Sequence, residues 1–83
     1  MLAASENRFG GMVVDPEGLP STRAEFARTL SESVEAWRAG GVPLVWLEVP
    51  IGLVDLVPEA VNSGFVYHHA TSDALHLTLR LTP

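Results

Sequence analysis

The segment Leu44-Val45-Trp46-Leu47-Glu48-Val49 constrains this chain more than any other part of it. It is nearly continuous in apolar residues and is closed by Pro50. A strand that lacks alternation has both faces covered, as in the middle of a parallel sheet. Helices must then supply the covering layers, which places the chain in the α/β class.

The segments around it fit that reading. Phe26, Leu30, Val34 and Trp37 recur at steps of four, four and three and form one apolar stripe of a helix. Thr22 and Glu25 match a capping box, with Ser21 as a rival first cap. Gly40-Gly41 ends the helix by supplying a left-handed residue. Glu25 and Arg28 are neighbours on its outer surface. Before it, Phe9 to Asp15 reads as a short strand, weakened by Gly10 and Gly11 and followed by a Pro16–Pro20 turn. Residues 53–63 read as a poorer helix in which Pro58 forces a restart, with Pro58 at the first position.

The C-terminal part reads as a hairpin. Leu75 to Leu81 alternates strictly, Phe65 to Ala70 forms its partner, and Thr71 to Ala74 is the turn. That turn sets Ala70 against Leu75 and His69 against His76; one residue of slip sets His68 there instead. The element order is β-α-β-α-β-β. Right-handed crossovers make the first three strands parallel and the fourth antiparallel, in a mixed, mostly parallel four-stranded sheet with two helices. Residues 1–7 read as a polar lead-in and 8–83 as the single domain.

With 83 residues there is no room for a second core. A domain of this size carries a margin of roughly 3–5 kcal/mol. Without cysteine it has no disulfide or thiolate metal staple, so oligomerisation is a natural remedy. The net charge of −5, with five arginines and no lysine, argues against nucleic acid and against an anionic membrane surface. The greasiest stretch, Val42–Val57, is too short and too broken to span a bilayer, and the start of the chain lacks a signal peptide's pattern. A cytoplasmic location is expected.

Chemistry-bearing residues are few. Facing histidines could bind a metal or titrate as a pair, but a third ligand is needed and only Asp73 is close in sequence. Glu48 lies in an apolar strand on the side of Trp46: buried, it would be an acid or base, whereas near the strand end it reaches water. No nucleophile motif is present. The acidic, proline-rich loop Asp15–Ser21 repels a pyrophosphate. The aromatic residues read mainly as core, with some of them available for a partner-facing patch.

Several strings together resemble the pre-nudix domain found ahead of some nudix hydrolases. They are Arg8-Phe9-Gly10-Gly11 with Val13-Val14-Asp15, Phe26 and Leu30, Trp37-Arg38, Val45-Trp46-Leu47 with Pro50, Leu56-Val57-Pro58, Gly64-Phe65, Tyr67-His68-His69-Ala70, Leu77-Thr78, and Leu81 with Pro83. The resemblance covers residues 8–83. It implies a GNAT-like half-fold and a non-catalytic accessory role in dimerisation or substrate access. The parent enzyme would hydrolyse nucleoside diphosphate-linked substrates with Mg²⁺ or Mn²⁺ held by a separate nudix catalytic domain, in cis or in trans.

The residues agree with that division. A nudix box needs an Arg-Glu dipeptide and a Glu-Glu pair, so that clustered carboxylates hold the ion. Here no arginine precedes a glutamate and no two glutamates are adjacent. No cofactor is expected in this chain. Glu48 stands where the family is usually basic, and Arg80 where it is usually aromatic. A partner-facing surface is expected at Trp46, Glu48, Tyr67, His68, His69 and Arg80, within a homo-oligomer. The rival readings are a degenerate acyl-CoA or nucleotide binder and a self-associating interaction module.

Overall fold

The computed structural model describes residues 1–82; Pro83, the last residue of the family-like strings, lies outside them. The elements are β1 (Ala4–Glu6), β2 (Met12–Val14), α1 (Arg23–Ala39), β3 (Leu44–Pro50), α2 (Val57–Asn62), β4 (Val66–Ala70) and β5 (Ala74–Arg80). Short 3-10 helices at Pro16–Gly18 and Ile51–Leu56 precede α1 and α2.

The start and stop signals of α1 act as the sequence predicts. Thr22 is the N-cap, and its side chain accepts from the Glu25 amide. Gly41 takes φ +80°, so that Gly41 N–H reaches the Arg38 carbonyl and Val42 N–H reaches that of Trp37. This double closure satisfies two carbonyls that the helix end leaves free. On the outer surface Arg28 approaches Glu32, one turn after it, at 3.9 Å, and not the expected Glu25, which lies on the turn before. Pro58 sits in the first turn of α2, directly after the 3-10 segment, so the expected restart is observed.

The sheet departs from expectation in two ways. It has five strands in the order β1-β2-β3-β5-β4, because the expected lead-in forms β1, antiparallel to β2. Three polar-flanked residues carry too weak a pattern to announce a strand. What fixes this one lies elsewhere: Leu2 is buried, and its amide donates to Ser33 Oγ at 2.8 Å. That hydroxyl in turn donates to the Thr29 carbonyl within α1.

The second departure concerns neighbours. The strand directions are those expected, but β5 inserts between β3 and β4, leaving β2–β3 as the one parallel pair among the described residues. The sheet is therefore mostly antiparallel. Length explains the choice. The seven residues of β3 and of β5 pair along their whole length, from Leu44↔Arg80 to Pro50↔Ala74. The shorter β4, every residue of it exposed, is left at the edge.

Both helices lie on one face of the sheet. Val14, Val45, Leu47, Val49, Leu77 and Leu79 meet Phe26, Leu30, Val34 and Trp37 of α1 and Val57 and Ala60 of α2 in a single core. Along β3 the burial alternates: Val45, Leu47 and Val49 are buried, while Leu44, Trp46, Glu48 and Pro50 are only half-buried. The two-sided covering expected for this strand is therefore not made by this chain. Among the described residues no layer lies over the apolar residues on its second face.

Candidate functional site

The uncovered face is built by the period-two geometry of three strands. Val13 of β2 lies beside Trp46 of β3, and Trp46 faces Thr78 of β5. Two residues to one side, Leu44 faces Arg80; two residues to the other, Glu48 faces His76. Val13, Leu44, Trp46, Glu48, His76 and Arg80, with Phe9 from the loop before β2, line an open cleft of about 710 Å³. Phe9 is 75% exposed, with the Arg8 guanidinium 4.9 Å from its ring centre. Val13 and Val66 are also exposed on this face.

Two more histidines reach the uncovered face beside the cleft through an irregularity in β4. Tyr67 pairs with Leu77 and His69 with His76, so His68 is an extra, bulged residue. The expected His69–His76 and Ala70–Leu75 pairs are both formed. The bulge brings His68 over the same face as His69, where its ring meets Trp46 edge-on at 5.0 Å. His68 Nδ1 lies 2.7 Å from His69 Nδ1, and the His69 and His76 rings stack. Two stacked rings hold their nitrogen lone pairs in parallel planes, which do not converge on a point. Asp73, the remaining neighbour, is engaged by the Thr71 hydroxyl. Among the described residues no group of three or more His, Asp or Glu is arranged to hold a metal ion.

His69 has its pKa lowered below 6.5. It is exposed as a residue, but the ring face against His76 is shielded from water, and this is the larger cause. Repulsion by charge on His76 and then on His68 adds to it.

Of the residues singled out in the sequence, Trp46, Glu48, His68, His69 and Arg80 share the uncovered face. Tyr67 does not. Its partner Leu77 is a core residue, so Tyr67 belongs to the helix-bearing side, at the exposed edge. Glu48 is half-buried at the cleft wall, on the side open to water. The aromatic residues divide as well: Phe26, Trp37 and Phe65 are core, whereas Phe9, Trp46 and Tyr67 are not. Sequence reasoning missed Phe9, Val13 and Leu44 as parts of this surface. Alternation along Leu44–Pro50 would have flagged Leu44, being in phase with Trp46.

Among the described residues no helix is long and apolar enough to cross a membrane. The Nudix hydrolase domain family matches residues 2–81. Among curated proteins, Nudix hydrolase 8 of Arabidopsis thaliana is 41% identical over 78 residues, 94% of this chain and 21% of that protein. Nudix hydrolase 5 of the same plant is 38% identical over 82 residues, 98% of this chain and 27% of that protein. Nucleoside diphosphate-linked moiety X motif 6 of Homo sapiens is 38% identical over 79 residues, 90% of this chain and 25% of that protein. The chain thus spans about a quarter of the length of these relatives. With a match that runs over nearly all of its residues, the chain belongs to the Nudix hydrolase domain family.

Proposed function

We propose that this chain is a non-catalytic accessory domain of a nudix hydrolase, promoting self-association or shaping access to the active site of the parent enzyme. The observation that carries this reading is the pairing of a whole-chain family match with coverage of about a quarter of each relative. The portion that matches brings no nudix box with it. The uncovered sheet face supplies what an accessory domain needs, a surface to place against something else. The likeness to half of the GNAT fold belongs to the same proposal; it supplies a framework and no chemistry.

On this reading the parent enzyme cleaves nucleoside diphosphate-linked substrates with Mg²⁺ or Mn²⁺ held in its catalytic domain. The test is an assay of the 83-residue chain on ADP-ribose-type substrates with Mg²⁺. No turnover above a protein-free control is expected. Turnover that co-purifies with the chain through successive columns overturns the non-catalytic role.

The cleft supports a second reading, since its volume lies in the range of small-molecule sites. Calorimetry with coenzyme A and with nucleotides tests it, and absence of heat from all of them ends it.

A further inference from the structure

The geometry points to a twofold-symmetric dimer: the uncovered sheet face packs on the same face of a second copy with strands reversed. Trp46 sits beside the axis, and Arg80 of each copy lies over Glu48 of the other. This deepens the self-association named above by assigning its surface and orientation.

The register sets Arg80 beside Leu44, Thr78 beside Trp46 and His76 beside Glu48. Glu48 and Arg80 therefore flank the Trp46–Thr78 pair at equal distances, two residues to either side. Four residues of strand separate the two charges by about 13 Å, too far for a pair within one copy. Among the described residues neither is in an ion pair; those present are Arg23–Glu59 and Arg28–Glu32. Between the charges stand Trp46 and Thr78, with Val13 next to Trp46; Leu44 lies beside Arg80, and Phe9 lines the same cleft.

Symmetry then selects the orientation. When a face packs on its own copy, the twofold axis lies in the plane between the two sheets. An axis along the strands sets Arg80 near Arg80 and Glu48 near Glu48. An axis lying across the diagonal from Glu48 to Arg80, at its midpoint beside Trp46, exchanges the two ends and sets each Arg80 over a Glu48. Only the second arrangement pairs opposite charges, and it forms both pairs at once. Such self-complementarity is the requirement of an isologous interface. A second copy meets it without any further assumption, whereas an unrelated partner would need its own matching pair of charges at the same spacing. The apolar centre supplies the affinity, and the two rim pairs fix the orientation and add salt sensitivity.

The test is analytical ultracentrifugation of the 83-residue chain at low ionic strength, where charge pairs are least screened. The mass is expected to rise with concentration to that of two chains by about 0.1 mM. Glu48→Arg and Arg80→Glu, each alone, replace both attractive pairs by repulsive ones and should weaken association by about tenfold or more. An equimolar mixture of the two variants should regain wild-type association as a heterodimer, since every contact is again between opposite charges. That recovery also shows that both variants are folded. Three results overturn the proposal: a monomer across the whole range, association indifferent to either single variant, or a mixture no stronger than its components. A chain both monomeric and without hydrolase turnover removes the dimer and leaves the accessory reading standing. Association only with an added nudix catalytic domain gives the face to that occupant instead.

Discussion

The imidazoles of His69 and His76 stack across the β4–β5 pair with centroids 4.2 Å apart and planes 7° apart. Stacking of this kind suits neutral rings. A proton on either sets a charge against its neighbour, and His68 stands on the other side of His69.

Stability should therefore fall on mild acidification. The folded pKa of His69 is lowered below 6.5, so the unfolded chain takes up its proton first as pH decreases. Proton uptake by the unfolded state favours unfolding. The contribution is full above 6.5 and is lost as pH falls below it, until the folded pKa is passed. Urea titrations at about pH 7.5 and about pH 5.5 should show a lower midpoint in acid. His76→Gln should reduce that drop, because it removes the stacked partner and the nearer charge.

Ser33 is the buried polar residue of α1, and its hydroxyl joins the Leu2 amide to the Thr29 carbonyl. Ser33→Ala leaves a shielded amide without a partner, at a cost of about 1–3 kcal/mol. Against a total margin of roughly 3–5 kcal/mol that is a large fraction. The expected result is a clear fall in Tm, together with faster amide exchange in β1, which loses its tie to the helix. A Tm unchanged within a degree or two would show that the amide finds water.

Two glycines should respond in opposite senses. Gly64 has φ +103°, and a Cβ there would lie 3.2 Å from Leu79 Cδ1. Gly64→Ala therefore combines backbone strain with a contact against a core side chain and should cost about 1–3 kcal/mol. Gly52 has nothing within 4 Å of a built Cβ and no positive φ. Gly52→Ala should be neutral or stabilise by up to about 1 kcal/mol through the unfolded chain. Thermal melts of the pair separate the two effects.

Phe26 is fully buried where α1 meets the sheet. Phe26→Ala should cost about 3–5 kcal/mol, which equals the whole expected margin. The variant should give the far-ultraviolet circular dichroism of an unfolded chain at 25 °C. A cooperative melt at that temperature or above would mean that the core is stronger than its size implies.

Where the sequence was informative, the cause is local. The caps of α1, the restart at Pro58 and the pairing of His69 with His76 each depend on residues within a few positions of one another. What escaped depends on distant partners. β1 is fixed by Ser33, which lies 31 positions from Leu2, and the insertion of β5 between β3 and β4 is decided by matching strand lengths. Leu44–Val49 misled for a different reason. Its apolar pattern is that of a strand covered on both sides, and in this chain only one side is. The pattern describes a burial that the isolated domain does not complete. For the site, the shared strand phase of Trp46 and Glu48 was legible, whereas the gathering of His68 with His69 needed a bulge that no local signal announced.

That bulge has a bearing on how copies of the chain can meet. An exposed strand carrying valine and tyrosine is a template on which other chains add edge to edge and grow into fibrils. At His68 the spacing of free amides and carbonyls along β4 is interrupted, so an incoming strand cannot stay in register past Tyr67. The irregularity that crowds the imidazoles thus also acts as a guard against open-ended, amyloid-like stacking.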